Sequence, residues 1–255
     1  LIYYPLSIFM LSGIKDILII STKDDVPKFK KLLGDGKRLG IKITYEIQLK
    51  PNGIAESFII GENFIGNDNV CLILGDNIFH GKGFILNIKS AMQELSNGFS
   101  SIFGVTVKNP ESFGVIEFNN NRIAKITEKP KIAKSKIIVS GLYFYTNDVV
   151  EYAKNLKPSS RGEKEITDIN NRYLSLNKLK LNILNSDISW IDTGTYSSLI
   201  EASKYFEDFE KRNNKKAACI EEIAFKMGYI DKPQLQKIAQ SMTSSEYGKY
   251  LLNLL

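Results

Sequence analysis

Two aspartates stand where short apolar runs end. Asp76 follows Val70-Cys71-Leu72-Ile73-Leu74-Gly75, and Asp192 follows Ser189-Trp190-Ile191 and precedes Thr193-Gly194. In an open α/β sheet, ligands bind outside the carboxyl ends of the strands. Carboxylates at such places can converge on Mg²⁺, which takes one or two of them and completes its shell with water and phosphate oxygens. The same residues also suit ordinary turn and helix-cap chemistry. Lys129, in Glu128-Lys129-Pro130, stands where proline ends a strand ladder. It can offer a point charge to a phosphate, or simply be solvated. Gly53 and Gly114 can admit a ligand close to the backbone, or serve turns. Trp190, the only tryptophan, is expected to pack near the Asp192 loop, and His80, the only histidine, carries little catalytic weight.

With a single histidine, neither a Ser/His/Asp mechanism nor a multi-histidine metal centre is expected. The two cysteines, Cys71 and Cys219, are far apart and make neither a disulfide framework nor a cysteine zinc site. A reducing, cytoplasmic setting is the simplest expectation. The net charge of +6 comes from 34 Lys+Arg against 28 Asp+Glu, and the lysines are scattered. Nucleic-acid binders cluster their basic excess, so no nucleic-acid partner is expected. No apolar run reaches the roughly 18 residues of a spanning helix, and no membrane partner is expected.

The elements that must hold these residues alternate between strand-like and helical windows over 255 residues, which predicts an α/β domain. Helices are expected at Ile2–Leu11, Val26–Leu33, Ile54–Phe64, Phe84–Leu95, Asp148–Asn155 and Ile166–Leu176. Strands are expected at Asp16–Ile20, Ile43–Ile47, Val70–Leu74, Ser101–Val107, Val139–Tyr145, Lys180–Leu184 and Ser189–Ile191. Gly114–Phe118 and Arg122–Glu128, joined by Asn119-Asn120-Asn121, read as a hairpin. An antiparallel hairpin predicts a mixed sheet. From Ser197 onward the chain reads as mainly helical.

In series these segments resemble the sugar nucleotidylyltransferases. Leu74-Gly75-Asp76-Asn77-Ile78-Phe79 is similar to their metal loop, and Gln48 with Asn52-Gly53-Ile54-Ala55 to their base-reading loop. Phe113-Gly114-Val115-Ile116-Glu117-Phe118 and Glu128-Lys129-Pro130 resemble the hairpin that meets the sugar phosphate. Val139-Ser140-Gly141-Leu142-Tyr143-Phe144-Tyr145, Arg161-Gly162-Glu163-Lys164-Glu165-Ile166-Thr167-Asp168 and Trp190-Ile191-Asp192-Thr193-Gly194-Thr195 match further segments in order. The resemblance is strongest to members that use dTTP and glucose-1-phosphate and feed dTDP-rhamnose formation.

The resemblance implies a Rossmann-like mixed sheet flanked by helices, of the nucleotide-diphospho-sugar transferase type. It implies a catalytic domain over 1–212 and a helical C-terminal extension over 213–255. It implies thymidylyl transfer from dTTP to glucose-1-phosphate, giving dTDP-glucose and pyrophosphate. Asp76 and Asp192 would hold Mg²⁺, and Lys129 would grip the sugar phosphate. Gln48 and Gly53 would read the base, while Asn77, Gly114, Glu128, Val139 and Trp190 would line the substrate pocket. A homotetramer is implied, with a second nucleotide site drawing on His80, Gly81, Lys82, Ala218, Glu222, Ile223 and Lys226. The family opens with a strand and a Gly-Gly-x-Gly-Thr-Arg-Leu loop, then a catalytic lysine. That segment would precede this chain's first helix, and the chain without it is expected to be inactive. The alternatives are a non-catalytic sugar-nucleotide-binding homologue and a uridylyltransferase for the same sugar phosphate.

Overall fold

The computed structural model describes residues 1–255. The chain begins with α1 (Tyr3–Leu11), β1 (Asp16–Ser21), α2 (Val26–Leu33) and β2 (Lys42–Ile47). It continues through α3 (Glu56–Ile60), α4 (Glu62–Ile65), β3 (Val70–Ile73), β4 (Asn77–Gly81), α5 (Phe84–Ser96), β5 (Ser100–Thr106), β6 (Gly114–Asn119) and β7 (Arg122–Glu128). Then follow β8 (Ile137–Tyr145), α6 (Val149–Asn155), α7 (Ile166–Ser175), β9 (Leu179–Ile183) and β10 (Ile188–Asp192). The chain ends in α8 (Tyr196–Asn213), α9 (Ile220–Lys226), α10 (Lys232–Gln240) and α11 (Glu246–Leu252). Contacts divide it into two units, one of Leu1–Glu46 with Ile191–Leu255, the other of Ile47–Trp190.

The second unit is organised around β8. Its run Ile-Ile-Val-Ser-Gly-Leu-Tyr-Phe-Tyr is buried at every position but the first. Continuous apolar runs of this kind suit a strand covered on both faces. One edge of β8 pairs antiparallel with β5, and β5 in turn pairs parallel with β9. The other edge is shared. β6 meets it at Ile138 through Val115, and β3 meets it from Leu142 to Tyr145 through Ile73 to Val70. The ladder is therefore split around Gly141. β7 returns against β6 through the two residues Asn120 and Asn121, with φ of 46° and 60°. Positive φ at both positions is what a tight hairpin turn needs, and Asn tolerates it. α5 buries Phe84, Ile88, Ala91 and Leu95, a helical spacing on one face.

Two expectations change here. The helix read over Ile54–Phe64 is two short helices separated at Gly61, which has left helical geometry at φ −84°, ψ 5°. The loop after Asp76 opens directly into a strand, β4, which pairs with β10.

In the first unit, β1 and β2 pair. Leu6 and Met10 of α1 share one buried cluster with Ile17, Leu39 and Ile43, and with Ile220, Leu235 and Leu251 of the C-terminal helices. Within residues 213–255, α9, α10 and α11 supply part of this core. No helix is long and apolar enough to cross a membrane.

Candidate active site

The split in the β8 edge is closed by a side chain. The Leu74 N–H donates to the Gly141 carbonyl at 2.8 Å, after which β3 leaves the ladder. The Gly141 N–H then donates to Asn77 Oδ1 at 3.2 Å. The same Oδ1 accepts the indole N–H of Trp190 at 2.7 Å, and Asn77 Nδ2 donates to Asp76 Oδ1 at 2.8 Å. Asn77 is only 2% exposed, and its bond to the Gly141 N–H is made away from water. A Cβ on Gly141 would lie 2.8 Å from Asn77 Cγ and from Leu74 Cγ, which is why no larger residue fits there. Asp76 is exposed, with its carboxylate steadied from behind. Trp190 is half-buried and stands edge-on to Phe113, ring centres 5.6 Å apart.

Phe113 leads into Gly114, which faces Glu128 across the β6–β7 hairpin. The Glu128 carboxylate accepts the Thr167 hydroxyl and lies 3.5 Å from Arg161. Arg161 also grips Glu165 with two nitrogens, at 3.1 and 2.7 Å, and reaches Glu163 at 3.4 Å. Burial alone would raise the Glu165 carboxyl, but the Arg161 and Ser159 hydrogen bonds outweigh it and hold it below its ordinary value. Beneath this corner, burial and then the charges of Glu128 and Asp76 push the Tyr143 phenol well up. One buried ring thus feels both carboxylates.

Lys129 is exposed and has a φ of +40°. Of the six non-glycine residues with positive φ, four are Asn, leaving Lys129 and Ala218 without that residue's tolerance. Strain of this kind costs roughly 1–3 kcal/mol and persists where the surroundings over-determine it. At Lys129 the backbone N–H is tied to the Phe113 carbonyl at 3.0 Å, and Pro130 follows.

The Gln48 loop is built on the loop before α7. Gly53, at φ +102°, lies so close to Lys164 that a Cβ would sit 2.4 Å from the Lys164 carbonyl oxygen. The Lys164 N–H donates to the Asn52 carbonyl at 2.7 Å. Gln48 Nε2 donates to Glu56 Oε2 at 2.7 Å and to the Gly53 carbonyl at 3.2 Å, while Asn52 Nδ2 donates to Glu56 Oε1 at 2.7 Å. The Lys164 ammonium caps the end of α6, donating to the carbonyls of Ala153, Lys154 and Leu156.

Of the residues singled out in the sequence, the second unit thus links Asp76, Asn77 and Trp190 in one network. It faces Gly114 to Glu128 next to Lys129, and joins Gln48 to Gly53. Val139 is 7% exposed and belongs to the hydrophobic core. His80 and Gly81 are in β4, with Lys82 just after it, and burial lowers the His80 pKa. In the first unit, Asp192 Oδ1 accepts the Gly194 N–H at 2.8 Å. There too, Ala218 precedes α9, and Glu222, 8% exposed, holds Lys226 and the Tyr250 hydroxyl; Ile223 is half-buried. Sequence reasoning assigned no role to Arg161, Thr167 or Glu56. Arg161 and Thr167 lie in a segment already matched as a motif, but their partner Glu128 is 33 and 39 residues away.

No group of three or more His, Cys, Asp or Glu side chains gathers to hold a metal. The available donors are single hard carboxylates, which suits a cation that draws most of its ligands from water and substrate phosphates.

Residues 1–208 match the nucleotidyl transferase family. The chain is 50% identical to a Neisseria meningitidis glucose-1-phosphate thymidylyltransferase, over all of this chain and 88% of the relative. It is 46% identical to the Mycobacterium tuberculosis glucose-1-phosphate thymidylyltransferase over the same shares. A crystal structure of a Bacillus anthracis protein assigned as a glucose-1-phosphate thymidylyltransferase, in complex with sucrose, superposes with a TM-score of 0.73 at 39% identity, over 80% of this chain and 81% of that one. A UDP-glucose pyrophosphorylase bound to UDP-glucose shares the fold at a TM-score of 0.70 and 22% identity, over 82% of this chain and 86% of that one.

Proposed function

The chain belongs to the nucleotidyl transferase family, and from that premise we propose that it joins glucose-1-phosphate to dTTP, releasing pyrophosphate and leaving dTDP-glucose. The observation that carries the reading, beside the named relatives, is the paired arrangement in the second unit. A steadied carboxylate, Asp76, and a strained cation, Lys129 beside Glu128, are tied into one scaffold through Asn77, Trp190 and Phe113.

In this reaction an oxygen of the sugar phosphate attacks the α-phosphorus of dTTP in line, and pyrophosphate leaves. Both reactants are anionic, so positioning and charge neutralisation supply the rate. We assign Lys129 to the sugar phosphate. Glu128, already oriented by Thr167 and Arg161, accepts hydrogen bonds from sugar hydroxyls against the backbone of Gly114. Trp190 forms a wall of the site, held by its bond to Asn77. Gln48, on the loop braced by Lys164, reads the base. Asp76, and by the sequence pattern Asp192, are the carboxylates for Mg²⁺, which neutralises phosphate charge when bound.

The remaining proposals are a homotetramer, supported by Tyr196 and Ile200 on α8 at 90% and 68% exposed, and a second nucleotide site. On α9, a nucleotide phosphate would compete with Glu222 for Lys226. A cytoplasmic setting accords with two free cysteines.

The test compares Asp76→Asn and Lys129→Ala with the wild type, each expressed from its complete reading frame. Asp76→Asn should lower kcat by roughly a hundredfold or more. Lys129→Ala should act mainly on glucose-1-phosphate. Wild-type turnover in either variant would remove that residue from the mechanism.

A further inference from the structure

The geometry points to Glu56 as a specificity-determining residue: it fixes the amide of Gln48 with its carbonyl outward, and so selects a pyrimidine that carries an N3–H. The inference rests on the reading above that Gln48 meets the base.

The orientation of a glutamine amide is set by its neighbours. Here one terminal atom of Gln48 faces Glu56 Oε2 at 2.7 Å and the Gly53 carbonyl at 3.2 Å. A backbone carbonyl can only accept, and so can a carboxylate, so that terminal atom is the NH₂ group. Its two hydrogens are both engaged. What Gln48 has left for a ligand is Oε1, an acceptor.

The acceptors that impose this are themselves fixed. Asn52 Nδ2 holds the other Glu56 oxygen at 2.7 Å, and the Glu56 N–H donates to the Gly53 carbonyl at 3.3 Å. The turn that carries Gly53 is tied to Lys164, whose N–H donates to the Asn52 carbonyl at 2.7 Å. The amide therefore cannot turn round without setting its oxygen against a carboxylate.

Thymine and uracil present an N3–H donor, which matches a fixed acceptor. Cytosine presents a lone pair at N3, which opposes one. A site that presents one fixed hydrogen-bond pattern rejects the mismatched base more strongly than an apolar pocket does, because the mismatch sets one acceptor against another. The device discriminates against cytosine and is blind to the difference between thymine and uracil.

The experiment measures kcat/KM for dTTP and for dCTP with glucose-1-phosphate, in the wild type, Glu56→Gln, Gln48→Ala and the double variant, each expressed from its complete reading frame. Glutamine at position 56 is isosteric and can face either end of the Gln48 amide. The dTTP/dCTP ratio should fall roughly tenfold or more in Glu56→Gln, with dCTP use rising in absolute terms. It should fall in Gln48→Ala as well, and the double variant should add nothing to that. If Glu56→Gln lowers both substrates by one factor while Gln48→Ala collapses the ratio, Glu56 only braces the loop and the inference fails alone. If Gln48→Ala leaves the ratio unchanged, Gln48 does not read the base, and that reading falls together with the inference.

Discussion

Asn77→Ala is the substitution whose cost can be worked most fully. It deletes the acceptor for the buried Gly141 N–H and for the half-buried Trp190 indole N–H, and the donor that steadies Asp76. A buried polar group left without a partner costs about 1–3 kcal/mol, and only the Gly141 N–H is shut off from water, so the loss is about 2 kcal/mol. For a domain of this size that corresponds to a Tm lower by about 4–8 °C. Trp190 is the only tryptophan, so its emission reports the site without labelling. The expected result is an earlier urea midpoint, together with a red-shifted emission in the folded state as the indole N–H turns to water. Turnover should fall further than the folded fraction does, because Asp76 loses its anchor. A stability loss below about 1 kcal/mol with unshifted emission would refute the account of Asn77 as the closure of the β8 ladder.

Gly53→Ala places a Cβ 2.4 Å from the Lys164 carbonyl at a φ of +102°, and should raise the KM for dTTP while leaving that for glucose-1-phosphate near the wild-type value. Lys129→Gly should be more stable than Lys129→Ala by roughly 1 kcal/mol in urea titrations, because glycine accepts positive φ freely, although both lose the phosphate contact. Arg161→Ala should cost most at neutral pH. The Glu165 carboxyl is held below its ordinary 4.5, so its stabilisation is present above that value and is lost as pH falls through the lowered one. The gap between wild type and variant in urea midpoint should therefore narrow below pH 4.5, and a gap constant with pH would contradict the Arg161–Glu165 assignment.

Much of this was legible in the sequence because it is local. β8 is announced by its β-branched and aromatic run, and the β6–β7 hairpin by its asparagine turn. Asp76, Lys129 and Asp192 could be placed at strand ends from apolar periodicity alone. What sequence did not reveal depends on contacts between distant segments. β4 exists because β10 lies beside it, which nothing within Asn77–Gly81 announces. Arg161 lies in a matched segment, but its partner Glu128 is far away in the chain and meets it only across the fold. Glu56 reads as the first turn of a helix until its carboxylate is seen between Gln48 and Asn52.

The most direct test of the central claim is the product formed when glucose-1-phosphate is offered dTTP and UTP together with Mg²⁺, using protein expressed from its complete reading frame. The account predicts dTDP-glucose as the main nucleotide sugar, with one pyrophosphate released for each molecule formed, and loss of both in Asp76→Asn. UDP-glucose as the main product, or no nucleotide sugar at all despite tight binding of dTDP-glucose, would contradict it.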